Sequence, residues 1–226
     1  MAPNWERLWR SAGIQSVVFF VIGWAIYGDQ PKVGASSDKL ISFYEGDRTR
    51  ILIASVILGF GILNLLWFGA ALASALRDEG QGGWGSAATA ASTALGTVFI
   101  LFTAIGAGLA YSIAGSGNVS VTSGLNDFTW ALSVLIAFPA AMFIMSGSFG
   151  LWRAKLVPNA AFTVAVAAVI LEVAGGTTWA SSGFWAADGA YSRWVTTIIG
   201  LAWIAVVSGF LTMRSPAPDR AAVPAH

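Results

Sequence analysis

The sequence predicts an all-α, polytopic membrane bundle of about six transmembrane helices, with a short amphipathic helix in the first outer loop. Three observations predict it. Charged residues make up 10% of the 226 positions and apolar residues 56%, whereas a soluble domain is about a quarter charged. Apolar residues around 52–60, 98–105 and 130–149 lie in long stretches free of ionised side chains, and a hydrocarbon core about 30 Å thick takes about 20 such residues per helical crossing. These stretches are continuous, without the alternation of a barrel strand, and the 26 glycines suit closely packed membrane helices.

The elements follow in order. Residues 1–10 form a cytoplasmic N-terminus carrying Arg7 and Arg10. These basic residues and the apolar run that follows resemble the start of a signal peptide. No small-x-small cleavage site closes the run, so residues 11–27 are read as a retained first crossing. The polar connection 28–50 has a cap at Ser36 or Ser37, then Leu40, Ile41, Phe43 and Tyr44 at one-face helical spacing. Such a helix suits the membrane surface or the mouth of the bundle. The second crossing spans 51–76 and stops at Arg77, Asp78, Glu79 and Gly80. The third, 86–113, is rich in Ala and Gly, and Gly106, Gly108 and Ala110 predict a central position in the bundle. The fourth, 125–152, contains Pro139, which removes a backbone donor and kinks a helix. The fifth spans 159–181 and the sixth 192–213. The tail 214–226, with three prolines from Ser215 on, is predicted to be disordered.

Basic residues orient the bundle. With the N-terminus inside, Arg7, Arg10, Arg77, Arg153, Lys155, Arg214 and Arg220 are inner, and Lys32, Lys39, Arg48, Arg50 and Arg193 are outer. Four of the outer residues share one loop with Asp29, Asp38, Glu45 and Asp47. Both termini are therefore predicted cytoplasmic, in an inner (plasma) membrane. Tryptophans concentrate at membrane interfaces. Trp5, Trp9, Trp84 and Trp152 fall at inner helix ends, and Trp24, Trp130, Trp179, Trp185 and Trp194 at or near outer ends. Trp67 and Trp203 lie well within helices.

Several chemistries are excluded by residues the chain lacks. There is no Cys, and the only His is His226, which excludes thiol chemistry, His-ligated haem inside the bundle and Ser–His catalysis. Lys32, Lys39 and Lys155 all lie outside the predicted cores, so a buried Schiff base is not expected. No basic run of the kind that binds nucleic acid is present. No metal or cofactor is predicted. The expected partners are the lipid bilayer and a membrane-protein partner or second copy of the chain.

Glu172 is the exception in a charge-free interior. It lies about 20 Å along the fifth helix, and an intramembrane acid is costly and faces the bundle interior. It is either a proton or cation relay, or a protonated acid donating one structural hydrogen bond. Asn64 is at similar depth on the second helix and is its candidate partner, the alternative being an ordinary interhelical hydrogen bond. Thr177 and Thr178 extend the candidate polar site. Gly175 and Gly176 admit either a close neighbour or local unwinding. Asp127, after Asn126, reads as a helix-start charge, Asp188 as a partner for Arg193, and Arg153 with Lys155 as inner-interface anchors.

The stretch SFYEGDRTRIL, continuing through LLWFGAAL to ALRDEG, and the fourth helix with its basic turn, AFPAAMFIMSGSFGLWRAKLVP, resemble uncharacterised multi-pass membrane proteins of actinobacteria, a family described only as a domain of unknown function. The resemblance covers residues 36–169. It departs from the family where a Trp often follows the proline of the basic turn, since Asn159 and Ala160 stand there. It implies a six-helix inner-membrane protein and no catalytic residues. The expectation is a non-enzymatic accessory or structural membrane component. The alternative is a small transporter or proton-coupled carrier using Glu172.

Overall fold

A computed structural model describes residues 4–214, with side chains from Arg7 onward. The tail from Ser215, His226 included, and the side chain of Trp5 lie outside the described residues. The described chain is helical, joined by short loops and one isolated bridge between Ala180 and Ala186. Four helical spans are long and apolar enough to cross a membrane: Arg48–Asp78, Gly82–Ser116, Val119–Arg153 and Tyr191–Met213. Two shorter apolar helices, Ala12–Tyr27 and Asn159–Gly175, complete the bundle.

In chain order, α1 (Asn4–Arg10) leads into α2 (Ala12–Tyr27), with Ser11 at the join. The helical ladder crosses this join, because Ser11 donates to Arg7 and Gln15 donates to Ser11. The short α3 (Ser37–Ile41) precedes the long α4 (Arg48–Asp78). A tight turn at Gly80 leads to α5 (Gly82–Gly108). Next come α6 (Val119–Leu135), α7 (Ala137–Arg153), α8 (Asn159–Gly175) and α9 (Thr196–Met213). The α6–α7 break at Ile136 follows from Pro139, which has no N–H to give to the Leu135 carbonyl one turn earlier.

Successive long helices run up and down, so the bundle has two ends. The near end gathers the α1–α2 join, the α4–α5 and α7–α8 turns and the end of α9. Arg10 donates to the carbonyls of Leu211 and Arg214, and Arg214 pairs with Glu79 at 3.6 Å. The far end gathers the loops 28–47, 114–118 and 176–190.

The helix of the second predicted crossing, α4, is central, rather than that of the third. Helix α4 packs on α2, α5, α7 and α9, and Leu65, Phe68, Leu72 and Leu76 along it are fully buried. Helix α5 lies along one side of α4 on a seam of small residues. A Cβ added to Gly69 would overlap the Ser92 hydroxyl, and one added to Gly85 would stand 2.8 Å from the Ala73 carbonyl oxygen. Gly106 gives room to the Tyr27 hydroxyl instead of centring the bundle, and Gly108 is only half-buried.

Three one-turn π-helices, Ser42–Gly46, Leu109–Ile113 and Tyr191–Val195, all fall at the far end. The helical hairpin 82–153 has two arms of 35 residues each, about 52 Å at 1.5 Å per residue. A hydrocarbon core is about 30 Å, so the hairpin overhangs it and gives the far-end loops a wall to pack on. Leu40, Phe43 and Tyr44 are buried against Leu109, Ala110 and Ala114 of that wall, while Asp38, Lys39 and Glu45 stay exposed.

Candidate functional site

Glu172 is on α8, one turn before the helix ends at Gly175 rather than at 181. The helix closes there on shorter bonds, the Thr177 amide donating to the Ala174 carbonyl and the Thr178 amide to the Gly175 carbonyl, and two glycines admit close neighbours. A Cβ on Gly175 would overlap the Thr196 methyl, and one on Gly176 would stand 2.5 Å from the Phe138 ring. Thr177 and Thr178 then turn their hydroxyls back to the carbonyls of Ala174 and Gly175, both at 2.7 Å. The glycines thus lie both at a close approach and at the end of the helix.

The Glu172 side chain is 1% exposed, and its Oε1 has no hydrogen-bond partner. It faces α9 at Gly200, where an added Cβ would sit 3.6 Å from Oε1. The Tyr191 hydroxyl donates to the Leu171 carbonyl at 2.9 Å, beside it. Buried Thr196, at the start of α9, donates to the carbonyl of buried Ser192 in the π-helical turn before it.

The four predicted site residues are not assembled into one polar track. The Asn64 amide donates to the Phe60 carbonyl of its own helix at 2.9 Å, and no hydrogen bond joins it to Glu172 among the described residues. Thr177 is exposed. Thr178 is fully buried and lies three residues past the end of α8.

The densest buried polar cluster is elsewhere, and its hub is Asn126. This residue accepts from the Tyr44 hydroxyl at 2.9 Å and the Gln30 amide at 3.3 Å, and donates to the Pro31 carbonyl at 3.2 Å. Gln30 also donates to Thr129, and the Trp130 indole to the Pro31 carbonyl at 2.9 Å. Asn126, Thr129 and Trp130 are spaced i, i+3, i+4, so one face of α6 meets the loop. That spacing was a readable signal. Asn126 enters the sequence reading only as the neighbour of Asp127, and Gln30 not at all. Burial pushes the Tyr44 phenol well above its ordinary value, with the nearby Tyr27 and Asp127 adding to the shift.

Two predicted roles change as a result. Asp127 does not cap a helix, because α6 starts at Val119 and Asn118 caps it by accepting from the Val121 amide. Asp127 instead accepts from the Gly34 amide at 3.3 Å. Asp188 does not pair with Arg193: it accepts from the Val33 amide, and Arg193 pairs with Asp29. Each carboxylate pins the loop 28–36 to a neighbouring element. Trp130 belongs to this seal too, at 6% exposure, whereas Trp179, Trp185 and Trp194 do stand at the far-end surface.

Among the described residues no group of three or more His, Cys, Asp or Glu side chains comes together. No protein family, curated protein or solved structure matches this chain.

Proposed function

We propose that this chain is a non-enzymatic component of the inner (plasma) membrane, crossing it six times with both termini cytoplasmic and serving as an accessory or structural part of a membrane assembly. Four long apolar spans and two shorter ones of 16 and 17 residues support six crossings. Among the described residues six basic side chains lie at the near end, with the N-terminus, and five at the far end, which supports the orientation. The helix in the first outer loop is then amphipathic toward the bundle mouth, with its apolar face on protein.

One observation carries the reading. Four buried polar side chains of the far end, Tyr44, Gln30, Asn126 and Thr129, bond to one another, and Asn126 bonds to the loop backbone at Pro31. They work as a seal. A partner inside the membrane, either another protein or a second copy, fits a bundle whose polar groups hold its own shape.

A specific observation favours a second reading, a small proton-coupled carrier: the buried Glu172 carboxyl has an unpartnered oxygen, and unpaired intramembrane acids mark proton and ion routes. Proteoliposomes containing wild type or Glu172→Gln, loaded with a pH-sensitive dye, separate the two readings. The accessory reading expects proton leak equal to protein-free vesicles in both. A flux present in wild type and lost in Glu172→Gln, with unchanged unfolding temperature, overturns it in favour of the carrier.

A further inference from the structure

A cleft of about 500 Å³ opens at the near end between the α4–α5 and α7–α8 turns, lined by Gln81, Trp152, Arg153, Lys155, Val157 and Asn159. Its lining holds two cations and no acid. Arg153 and Lys155 are exposed, and neither is in an ion pair among the described residues. The Trp152 indole can only donate, and it donates to Asn159 Oδ1 at 2.8 Å. The Asn159 amide nitrogen is therefore left as a further donor at the rim. Helix α8 begins at this residue with no side chain capping its first turn, which adds the positive end of its dipole.

A ladder of rings borders these donors. Trp84 stacks on Phe149 at 4.8 Å, Phe149 meets Phe162 edge-on at 5.1 Å, and Trp152 lies flat on Phe162 at 4.6 Å. Tryptophans so placed sit at the headgroup level of a bilayer. Trp152 belongs to both the cleft lining and the ladder, so the ladder runs from the cleft wall beside the unpaired cations. A free phosphate would use only the cations.

We propose that this cleft binds the phosphate of an anionic phospholipid, with Arg153 and Lys155 on the phosphate oxygens and the ring ladder against the lipid body. Basic pockets between membrane helices bind anionic headgroups by this chemistry. The inference needs the chain to be in a bilayer but does not depend on its orientation or on the accessory role.

The test uses the whole protein, delipidated in detergent, with unfolding temperature and binding measured against added phosphatidylglycerol, phosphatidylcholine or inorganic phosphate. Phosphatidylglycerol is expected to bind and raise the unfolding temperature while phosphatidylcholine does not. Arg153→Gln and Lys155→Gln are each expected to weaken phosphatidylglycerol binding about fivefold, an effect that shrinks as salt rises. Lys32→Gln with Lys39→Gln, at the far end, is expected to leave it unchanged. Equal response to both lipids overturns the proposal, as does an unaltered affinity in the near-end variants or an equal loss in the far-end control. Displacement of the lipid by inorganic phosphate at equal concentration assigns the cleft to a free anion and overturns it too. Lys155→Gly covers a failure of the glutamine variants to fold. It removes the cation and relaxes a left-handed backbone, so affinity should fall while the unfolding temperature rises.

Discussion

Replacing Asn126 by alanine removes the hub of the far-end seal, and the hydrogen bonds set the size of the effect. Two of its partners keep a second bond: Gln30 keeps Thr129, and the Pro31 carbonyl keeps the Trp130 indole. The Tyr44 hydroxyl loses its acceptor inside a fully buried site. A buried polar group without a partner costs about 1–3 kcal/mol, and each of the other two lost bonds about 0.5–1 kcal/mol net. The expected loss is about 2–5 kcal/mol. Thermal unfolding in detergent measures the total, and hydrogen exchange localises it, with faster exchange in residues 28–36 and little change in the middle of α4. Adding Tyr44→Phe removes the stranded hydroxyl, so the double variant should be less destabilised than the sum of the singles by about 1–2 kcal/mol. Additivity of the two single effects to within about 0.5 kcal/mol would refute the assignment of Asn126 as acceptor for Tyr44.

Three further outcomes are expected. Because Tyr44 has its folded value raised by burial, its contribution to stability is present below about pH 10, where an unfolded phenol ionises, and is lost as pH rises above that; Tyr44→Phe should lessen the alkaline decline in a pH series of unfolding temperatures, and an unchanged decline sinks the claim. Lys155 has φ of +56°, a left-handed backbone costing about 1–2 kcal/mol, of which glycine's larger unfolded-state entropy returns about 0.5–1 kcal/mol; Lys155→Gly should therefore stabilise the lipid-free protein by roughly 0.5–1 kcal/mol, and destabilisation would contradict it. The chain has no Cys, so single cysteines report topology cleanly: a membrane-impermeant maleimide on whole cells should label Lys39→Cys directly and Asp78→Cys only after permeabilisation, and the reverse pattern inverts the orientation.

The helices were legible because lipid-facing and core-facing residues are both apolar, which leaves long uninterrupted runs. Their ends were less so. The start of α6 at Val119 hides in the polar run Ser120, Thr122 and Ser123, although Asn118 is an ordinary cap and could have marked it. The glycines at the end of α8 make room for Thr196 and Phe138, contacts far off in sequence. Glu172 is buried, as its isolation among apolar residues implied. Its proposed link to Asn64 fails because matching depth on two helices does not fix which way each side chain turns. The carboxylates at 127 and 188 illustrate the same limit, since loop backbone competes for them as well as nearby charges.

The pairing of α2 with α9 bears on how the bundle is made. The Ser208 hydroxyl donates to the Arg10 carbonyl and accepts from the Ile14 amide, and a Cβ on Gly13 would stand 2.6 Å from Ser208. Helix α2 therefore finds one of its partners only when α9, far later in the chain, has been inserted. Until then one flank of α2 must be covered by lipid or by the insertion machinery. A chain stalled before residue 196 should linger as a quality-control substrate even though five of its apolar helices are already in place.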